Sequence, residues 1–592
     1  MFDINTPFVL LDDARLFGAA PARLYSKPVE QIEARTPDAI PAMLDALRRA
    51  QAQGYHTAGM LNYEAGFALT GEQSGERTNA GPCNDSLLGW FGIFTDYETI
   101  DADAITSHLP DPKGAHITPI RPDITLTEYS AAFKKVQEYI RAGDIYQANL
   151  TFRASAAYAG DPLALYAAVR PHAAAGYGGM VWTGTDWILS FSPELFFTLK
   201  DRVITTRPMK GTAPRMLDAA HDIAAANNLR DDPKQRAENL MIVDLLRNDI
   251  SQVCAPGSVK VPDLFRIETY PTVHQMTSTV TGKLQDGCDA VDVITAIFPC
   301  GSITGAPKIR AMEIISEVEA APRGIYCGSI GRIDANGDAA FNVAIRSFHL
   351  DTDTKRVSLG LGSGVVADSQ LADEWAECLT KGEFAKVGGY GFDLIETMRF
   401  EPAHGILRLE LHLERMKESA RVLGFEFDRH AARNGLHAVT FHVEAVSKVR
   451  MLLSRSGAIA IEVGAVPLVC DEAWPVRVVP MTAGPQDFRL AHKTTNRAFY
   501  DDARTAHPDC REVLFTDAAG YLTEGSITSL FVKRGDMLLT PPLSRGLLPC
   551  VLRRALIDAG QACEADLRPD DLADGFFVGN SLRGLIAARL VL

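Results

Sequence analysis

Residues 237–249 read AENLMIVDLLRND, and this stretch decides how the first part of the chain folds. An aspartate and a proline at positions 232–233 precede it, which is the pattern of an N-cap followed by proline at the first helical position. A helix is therefore predicted from Asp232 to about Asn248. Carboxylates on a helix, such as that of Glu238, usually form a solvated face. If two helices that carry carboxylates converge, however, these groups would provide an oxygen-rich magnesium site.

Around this helix, strand and helix patterns are mixed without strict alternation. We therefore expect an α+β fold, with large β-sheets packed against helices, rather than a doubly wound sheet. Asn336-Gly337 is the strongest short hairpin signal and predicts a two-residue turn. The predicted elements are two strands over 181–199, helices over 307–319 and 373–386, and hairpin strands over 325–333 and 339–350.

Composition narrows the class of protein. The 592 residues contain 46% hydrophobic and 22% charged residues, which is typical of globular proteins and predicts two to four domains. The net charge of −15 disfavours nucleic-acid binding. No apolar run is long enough to span a membrane, the N-terminus lacks a signal-peptide pattern, and the ten cysteines include no CxxC pair. These features favour a reduced cytoplasmic protein.

The chain divides at one sequence boundary. A helical pattern ends near Lys386, Gly388-Gly389 follow, and a strand pattern begins near Phe392. We expect one domain over 1–387, with its core at about 126–386, and a second over 391–592. Surface loops are predicted at 70–86 and 110–123.

Four motifs in the first part occur in a characteristic order. Together they resemble the chorismate-utilising enzymes, a family that includes anthranilate, aminodeoxychorismate, isochorismate and salicylate synthases. The resemblance covers roughly residues 126–386. The motifs are PMKGT at 208–212, AENLMIVDLLRND at 237–249, GSITGAPK at 301–308 and EWAE at 374–377.

Two positions distinguish the branches of this family. Gln147 stands where the isochorismate and salicylate branch carries a lysine general base, and a glutamine cannot activate water in that way. Lys210 stands where anthranilate synthases usually have alanine. The chain thus resembles the aminodeoxychorismate synthase branch. The resemblance implies that Lys210 attacks ring carbon 2 of chorismate, that Glu194 protonates the departing carbon-4 hydroxyl, and that ammonia then displaces the lysine.

The resemblance also implies a metal and a substrate site. Mg²⁺ would be held by Glu238 and Glu377, with Glu374 behind them.

The predicted hairpin limits which side chains can reach the substrate together. A two-residue turn at Asn336-Gly337 would place Tyr326 opposite Ser347, and Tyr326 and Arg346 would then lie on opposite faces. A longer loop is therefore needed if both contact substrate. A buried core histidine is the simpler interpretation of His274. The implied chorismate contacts are Gly211, Thr212, His274, Tyr326, Arg346, Gly360 and Gly362.

The sequence contains no convincing cysteine–histidine–glutamate glutaminase. We therefore expect the ammonia to come from a separate glutamine amidotransferase subunit, or from free ammonia.

The second part carries four other motifs. Together they resemble the fold-type IV pyridoxal 5'-phosphate enzymes, which include branched-chain and D-amino-acid aminotransferases and aminodeoxychorismate lyase, and they imply a two-subdomain α+β domain. The resemblance assigns Lys493 as the lysine that carries the cofactor, Glu524 to the pyridine nitrogen, and Arg415, Thr528 and Ser581 to the phosphate. Ser529, Cys550 and the late start at Phe392 depart from the family pattern. The motifs are LHLERM at 411–416, AHKTTNR at 491–497, TEGSITSLF at 523–531 and GNSLRG at 579–584.

The two parts suggest consecutive reactions. The first would make aminodeoxychorismate, and the second would release pyruvate from it to give 4-aminobenzoate, a folate precursor. One alternative joins an anthranilate synthase component to an aminotransferase, against which Lys210 argues. Another, of a different class, is a non-catalytic chorismate-binding regulatory protein. A homodimer through the second domain is plausible because fold-type IV domains commonly pair.

Overall fold

A computed structural model describes residues 2–70, 87–216, 218–269, 273–386, 391–467 and 472–591. The chain forms two compact units. The first contains Met1–His108, Ile120–Ala156 and Val169–Lys386, and the second contains Leu109–Pro119, Ala157–Ala168 and Val387–Leu592. The loop predicted from residue 70, apart from Thr70 itself, and the predicted boundary at 388–389 lie outside the described residues. No described helix combines the length and apolar character that crossing a bilayer requires.

The elements up to Lys386 are mainly strands with ten α-helices between them in the described residues. The strands are β1 Phe8–Asp12, β2 Ala22–Ser26, β3 Glu30–Ala34, β4 His56–Leu61, β5 Gly89–Phe94, β6 Glu98–Ile100, β7 His116–Ile117, β8 Arg121–Pro122, β9 Gln147–Ala159, β10 Gly178–Trp182, β11 Trp187–Ser190, β12 Leu195–Lys200, β13 Val203–Arg207, β14 Met209–Pro214, β15 Lys260–Thr269, β16 Val273–Lys283, β17 Gly305–Ala306, β18 Ser329–Ile333, β19 Ala339–Asn342, β20 Ser347–Asp351 and β21 Arg356–Val365. The helices are α1 Ala39–Ala52, α2 Ala65–Leu69, α3 Ile105–His108, α4 Leu126–Ala142, α5 Pro162–Ala173, α6 Ala219–Asp231, α7 Pro233–Ser251, α8 Ala290–Ile297, α9 Lys308–Val318 and α10 Leu371–Lys381.

Two large sheets form the first unit. One has the strand order β17-β9-β21-β20-β11-β10-β1-β2-β6, and the other β14-β16-β13-β12-β19-β18-β4-β5-β3. Apolar side chains of the second sheet pack with α1, α7 and α8 in one core that includes Leu44, Phe197, Ile242 and Ile294. The predicted α+β architecture of sheets packed against helices is therefore confirmed.

The helix that carries the AENLMIVDLLRND motif begins as its sequence predicts. The Asp232 carboxylate accepts hydrogen bonds from the backbone N–H groups of Lys234 and Gln235, with Pro233 in the first turn. The predicted helix over 373–386 is less accurate. It runs from Leu371 only to Lys381 and is followed by a short 3₁₀ turn, because Gly382, a poor helix former, is the C-cap of the helix.

The predicted hairpin exists, but its two-residue turn is wrong. The β18–β19 register pairs Ile333 with Ala339, and the backbone of Asp334 bonds to that of Asp338 across a longer loop. Gly337 takes a φ of +87°, which fits a three-residue turn with a glycine bulge. The register is therefore shifted by one residue. A longer loop of this kind is the condition under which Tyr326 and Arg346 could both contact substrate.

The segment predicted as one strand over 339–350 is two strands in different sheets. β19 pairs with β12, whereas β20 pairs with β11. Between them Arg346 has a φ of +50°, a left-handed backbone conformation that ends the first pairing. Similarly, the segment over 181–199 contributes to three strands, β10, β11 and β12, rather than two.

The second unit contains two further sheets. Their strand orders are β23-β22-β24-β25 and β28-β27-β26-β33-β32-β29-β30-β31, each with its own apolar core. The strands are β22 Leu394–Glu401, β23 Gly405–Ile406, β24 Ser447–Leu453, β25 Ile459–Ala465, β26 Trp474–Pro480, β27 Glu512–Thr516, β28 Leu522–Gly525, β29 Ser529–Arg534, β30 Met537–Thr540, β31 Ala562–Glu564, β32 Phe576–Asn580 and β33 Gly584–Leu590. The helices are α11 Leu409–Leu423, α12 Arg429–Thr440, α13 Phe488–Ala491, α14 Ala498–Thr505 and α15 Val551–Asp558.

Candidate active sites

Lys210 lies on β14 among charged side chains of the first unit. Burial lowers the pKa of its ammonium, and the nearby Lys381 lowers it further, while Glu194 and Glu238 act in the opposite direction. The following Gly211 has a φ of +94°, and a Cβ there would lie 3.0 Å from the Gln235 side chain. The Lys-Gly turn therefore presents a lysine whose neutral form is favoured, which is the form that can act as a nucleophile.

Glu194 is the buried acid beside this lysine. It directly precedes β12, and Ser302 donates a hydrogen bond to its carboxylate at 2.7 Å. Burial raises the pKa of Glu194, against the lowering effects of Ser302 and Lys210. A carboxyl group that stays protonated closer to neutral pH can donate a proton to a leaving group.

A row of glycines on β21 extends from Lys210 towards Tyr326. Gly360, Gly362 and Gly364 share one face because side chains alternate along a strand. A Cβ at Gly360 would lie 2.0 Å from the Tyr326 ring, and one at Gly364 would lie 3.5 Å from the Lys210 Nζ atom. The Tyr326 ring therefore packs directly on Gly360, where a side chain could not be accommodated.

The three glutamates expected to bind metal lie on α7 and α10. Burial raises the pKa of Glu238, and the carboxylates of Asp368 and Glu374 add to that effect. Glu374 accepts a hydrogen bond from Ser369, and Glu377 forms an ion pair with Lys381 at 2.7 Å. Within the ranges that the structure describes, no three acidic, histidine or cysteine side chains are grouped closely enough to hold a metal ion as they stand.

Two other expected substrate contacts, His274 and Thr212, already have protein partners. His274 is buried, with its two ring nitrogens within hydrogen-bond distance of Thr269 and Asp222, at 3.0 and 2.9 Å. This is the core-histidine arrangement. Thr212 is exposed and donates to Gln275. Arg346 lies in the link between β19 and β20, where its carbonyl accepts the N–H of Phe191.

Sequence reasoning did not select two residues that touch this cluster. Lys381 donates to the Gly362 carbonyl at 2.9 Å as well as pairing with Glu377, and Ser302 bonds to Glu194. Ser302 lies within the GSITGAPK motif, whereas Lys381 follows EWAE by one helical turn, and that spacing was the available signal. The buried Nε2 of Gln147 has no hydrogen-bond partner in the described structure.

The second unit contains a cavity of about 490 Å³ that brings all five predicted cofactor residues together. These are Lys493, Glu524, Arg415, Thr528 and Ser581. Arg415 lies on α11, Glu524 on β28, Thr528 in the turn after β28 and Ser581 in the turn after β32. Side chains of β22 and β24 form a further wall of the cavity.

Arg415 and Ser581 are held by a buried carboxylate that sequence reasoning missed. Glu396 accepts two hydrogen bonds from Arg415, at 2.8 and 2.7 Å, and lies 2.6 Å from a ring nitrogen of His412. The other nitrogen of His412 lies 2.9 Å from the Ser581 hydroxyl. Although burial opposes it, Arg415 and His412 hold the pKa of Glu396 below its ordinary value. A charged residue on the strand face that otherwise carries Leu394, Met398 and Phe400 was the available signal.

Lys493 and Glu524 both have shifted pKa values. Burial and the Arg415 guanidinium lower the pKa of Lys493 to about 8. Burial raises the pKa of Glu524 to about 8, and its carboxylate accepts hydrogen bonds from the Tyr500 hydroxyl and the Leu548 N–H. Neither bond supplies a positive charge, so Glu524 is a buried acid suited to a cationic partner.

The hydroxyl of Thr528, expected to bind phosphate, is bonded to protein instead. It donates to Glu512 at 2.6 Å, and the same carboxylate accepts the backbone N–H groups of Ser526 and Ile527. Glu512 therefore shapes the turn that follows Glu524.

Family comparisons place both parts of the chain. Residues 6–386 match the family described as chorismate binding enzyme, and residues 393–591 match the one described as amino-transferase class IV. Class IV domains imply pyridoxal phosphate, and the chorismate binding family implies chorismate as substrate.

Curated relatives match the first part. The aminodeoxychorismate synthase component 1 of Klebsiella aerogenes is 43% identical over 261 residues, which cover 44% of this chain and 57% of that protein. The anthranilate synthase component 1 of Methanothermobacter marburgensis is 37% identical over 325 residues, which cover 52% of this chain and 69% of that protein. The chain thus spans less than two thirds of the length of the aminodeoxychorismate synthase component 1 from Klebsiella.

A solved structure shows the same fold. Anthranilate synthase component I from Streptococcus pneumoniae TIGR4 matches with a TM-score of 0.52 and 26% identity, over 62% of this chain and 93% of that one. The chain therefore belongs to the chorismate binding enzyme family, with an amino-transferase class IV domain joined after it.

Proposed function

We propose that the chain makes 4-aminobenzoate in two steps, first by amination of chorismate to 4-amino-4-deoxychorismate and then by elimination of pyruvate. The observation that carries this proposal is Lys210, a lysine with a lowered pKa beside the buried acid Glu194 in the chorismate-binding unit. Relatives named as aminodeoxychorismate synthase component 1 support the first step. The lysine-containing cavity of the second unit supports the second step.

In the first site, two substitutions replace one difficult one. The Lys210 Nζ atom forms a bond to ring carbon 2, both conjugated double bonds of the ring shift, and the carbon-4–oxygen bond breaks. Glu194 gives its proton to the departing hydroxyl, which leaves as water. Ammonia then bonds to carbon 4, both double bonds shift back, and the carbon-2–nitrogen bond to Lys210 breaks. Tyr326 and Arg346 are proposed substrate contacts, with Gly360 and Gly362 in the adjoining strand.

Magnesium fits the carboxylates of α7 and α10 by the chemistry of their donors. Mg²⁺ prefers oxygen ligands. Burial, and after it the carboxylates of Asp368 and Glu374, raises the pKa of Glu238, and a bound cation would favour the charged carboxylate. Glu238 and Glu377 would hold the ion with Glu374 nearby, once Glu377 releases Lys381. The ion would neutralise the substrate carboxylate.

Pyridoxal phosphate fits the cavity of the second unit. In the described part of the chain, the hydrogen-bond partners of the buried Glu524 carboxylate are uncharged, which leaves it suited to a pyridine nitrogen, and Arg415 and Ser581 provide donors for a phosphate. When bound, the cofactor supplies an electron sink. Lys493 is placed to remove the proton from carbon 4 of the substrate. The carbon-3–oxygen bond then breaks, pyruvate leaves, and the ring becomes aromatic.

The name component 1, carried by several relatives, indicates a second component for those proteins. We propose that a separate glutamine amidotransferase supplies ammonia to this chain. Pairing through the second unit into a homodimer is part of the same proposal.

Identification of the aromatic product tests this function. Incubation of the pyridoxal-phosphate-loaded protein with chorismate, ammonium and Mg²⁺ is expected to give 4-aminobenzoate and pyruvate in equal amounts. Glutamine in place of ammonium should give no product until a glutamine amidotransferase is added. Chromatography against both aminobenzoate standards is the measurement.

Two other products would contradict the proposal. Anthranilate as the sole aromatic product would establish the anthranilate synthase alternative. Tight chorismate binding without turnover of either substrate would support a regulatory chorismate-binding protein.

The pH dependence of the first step follows from its two shifted groups. Protonation of Lys210 should reduce kcat/KM at low pH, and ionisation of Glu194 should reduce it at high pH. Because the lysine pKa is lowered and the acid pKa raised, the two limits move towards each other and a bell-shaped profile is expected. In Glu194→Gln the residual activity should lose the alkaline limb and keep the acid limb. An unchanged alkaline limb in this variant would remove Glu194 from the mechanism.

A further inference from the structure

The cavity of the second unit has more positive charge than the expected cofactor needs. Arg415 is paired with Glu396, Arg489 with Asp487, and Arg497 lies near Asp501. The acidic residues that line the cavity are Asp501 and Glu524. The basic ones are Arg415, Lys448, Arg450, Arg489, Lys493, Arg497, Arg504 and Arg583.

Lys448 and Arg450 lie on the wall of this cavity that is formed by β22 and β24. Both are half-buried and, among the residues that the structure describes, neither side chain forms a hydrogen bond or an ion pair. Glu462 on β25 pairs directly with Arg450 across the two strands, but in the described structure the two side chains form no ion pair. Arg583, in contrast, lies over the Trp474 ring and interacts electrostatically with Glu512. Glu512 is the carboxylate that shapes the turn after β28.

The strand register fixes where this wall lies relative to Lys493. The N–H of Ile395 donates to the Lys493 carbonyl at 2.9 Å, so β22 begins beside the lysine. Thr397, two residues further on, pairs directly with Arg450. Opposed residues in antiparallel strands share a face, and two residues of strand span roughly 7 Å. Arg450 is therefore about that distance along the wall from the residue next to Lys493.

We propose that Arg450, assisted by Lys448, binds the ring carboxylate of the amine substrate. This inference rests on the proposed lyase function. In the substrate the amine and the carboxylate lie on opposite sides of a six-membered ring. With the amine beside Lys493, the carboxylate lies one ring width away, a distance comparable to the spacing along β22 from Ile395 to the Thr397–Arg450 pair. The Arg450 guanidinium can take a carboxylate by two parallel hydrogen bonds, whereas Lys448 adds a point charge beside it. The pair selects aromatic amines that carry a carboxylate opposite the amine over neutral amines of the same size.

The test compares two small ligands that differ in this carboxylate. 4-Aminobenzoate and aniline are titrated into the pyridoxal-phosphate-loaded full chain, and binding is followed by the visible spectrum of the cofactor. The wild-type protein is expected to bind 4-aminobenzoate roughly tenfold to hundredfold more tightly than aniline. Arg450→Gln should lose this preference with aniline binding unchanged, and Lys448→Gln should lose a smaller part of it.

Matched variants keep the result interpretable. Arg450→Lys keeps a charge and should retain part of the preference. Arg421→Gln removes an exposed arginine of α11 that does not line the cavity, and it should behave as wild type. An unchanged cofactor spectrum shows that a variant is folded and loaded. An unchanged preference in Arg450→Gln overturns the proposal, and so does a loss of cofactor affinity in place of ligand preference.

The two proposals fail in different ways. If the wild-type protein does not convert 4-amino-4-deoxychorismate but Arg450→Gln still loses the preference, the lyase assignment fails and the carboxylate site stands. If the wild-type protein converts it while Arg450→Gln keeps its KM and ligand preference, the lyase stands and the carboxylate site fails.

Discussion

Lys493→Ala is expected to lose lyase activity by on the order of 10³-fold or more, because one side chain both carries the cofactor and moves the carbon-4 proton. The visible absorption of the lysine-bound cofactor should disappear with it. The first unit has its own site, so chorismate and ammonium should still be consumed. The expected result is accumulation of 4-amino-4-deoxychorismate, measured by chromatography, with no 4-aminobenzoate.

The exposed Lys533 of β29 offers a matched control, since it does not line the cavity. Lys533→Ala should keep both the absorption band and the product. If Lys493→Ala still made 4-aminobenzoate at the wild-type rate, the second site would have been assigned to the wrong lysine.

Lys210→Ala is expected to lower amination at carbon 4 by on the order of 10³-fold or more. Without the amine there is no covalent step, and ammonia would have to displace the carbon-4 hydroxyl directly. Chorismate binding should change much less, since the proposed carboxylate contacts remain. Initial rates of chorismate consumption, with lyase activity on supplied 4-amino-4-deoxychorismate as an internal measure of folding, provide the test.

Lys200→Ala serves as the control in the first unit, because Lys200 is an exposed residue at the end of β12. Formation of 4-amino-4-deoxychorismate at an undiminished rate in Lys210→Ala would exclude the covalent mechanism. Loss of both amination and lyase activity would indicate a folding defect, and Lys210→Met would then separate the two effects by retaining an unbranched chain.

The sequence predicted the elements whose signals are local. The N-cap of α7 and the existence of the β18–β19 hairpin depend on residues close together in the chain. The family motifs also carried the fold class. The hairpin register and the end of α10 were predicted incorrectly, because an Asn-Gly signal locates a turn without fixing the length of its loop, and helical periodicity does not fix the residue at which a helix ends.

The residues that could act were also determined by the sequence, since lysines, glutamates and arginines at the motif positions have chemistry that does not depend on the fold. Their state depended on tertiary structure. Burial favours the neutral form of Lys210 and the protonated form of Glu194, and it leaves Glu524 without a cation. Glu396 orders Arg415 from a distant strand. Desolvation and contacts between distant segments exist only in the folded chain, which is why the sequence named the reactive groups and the tertiary structure set their charge and orientation.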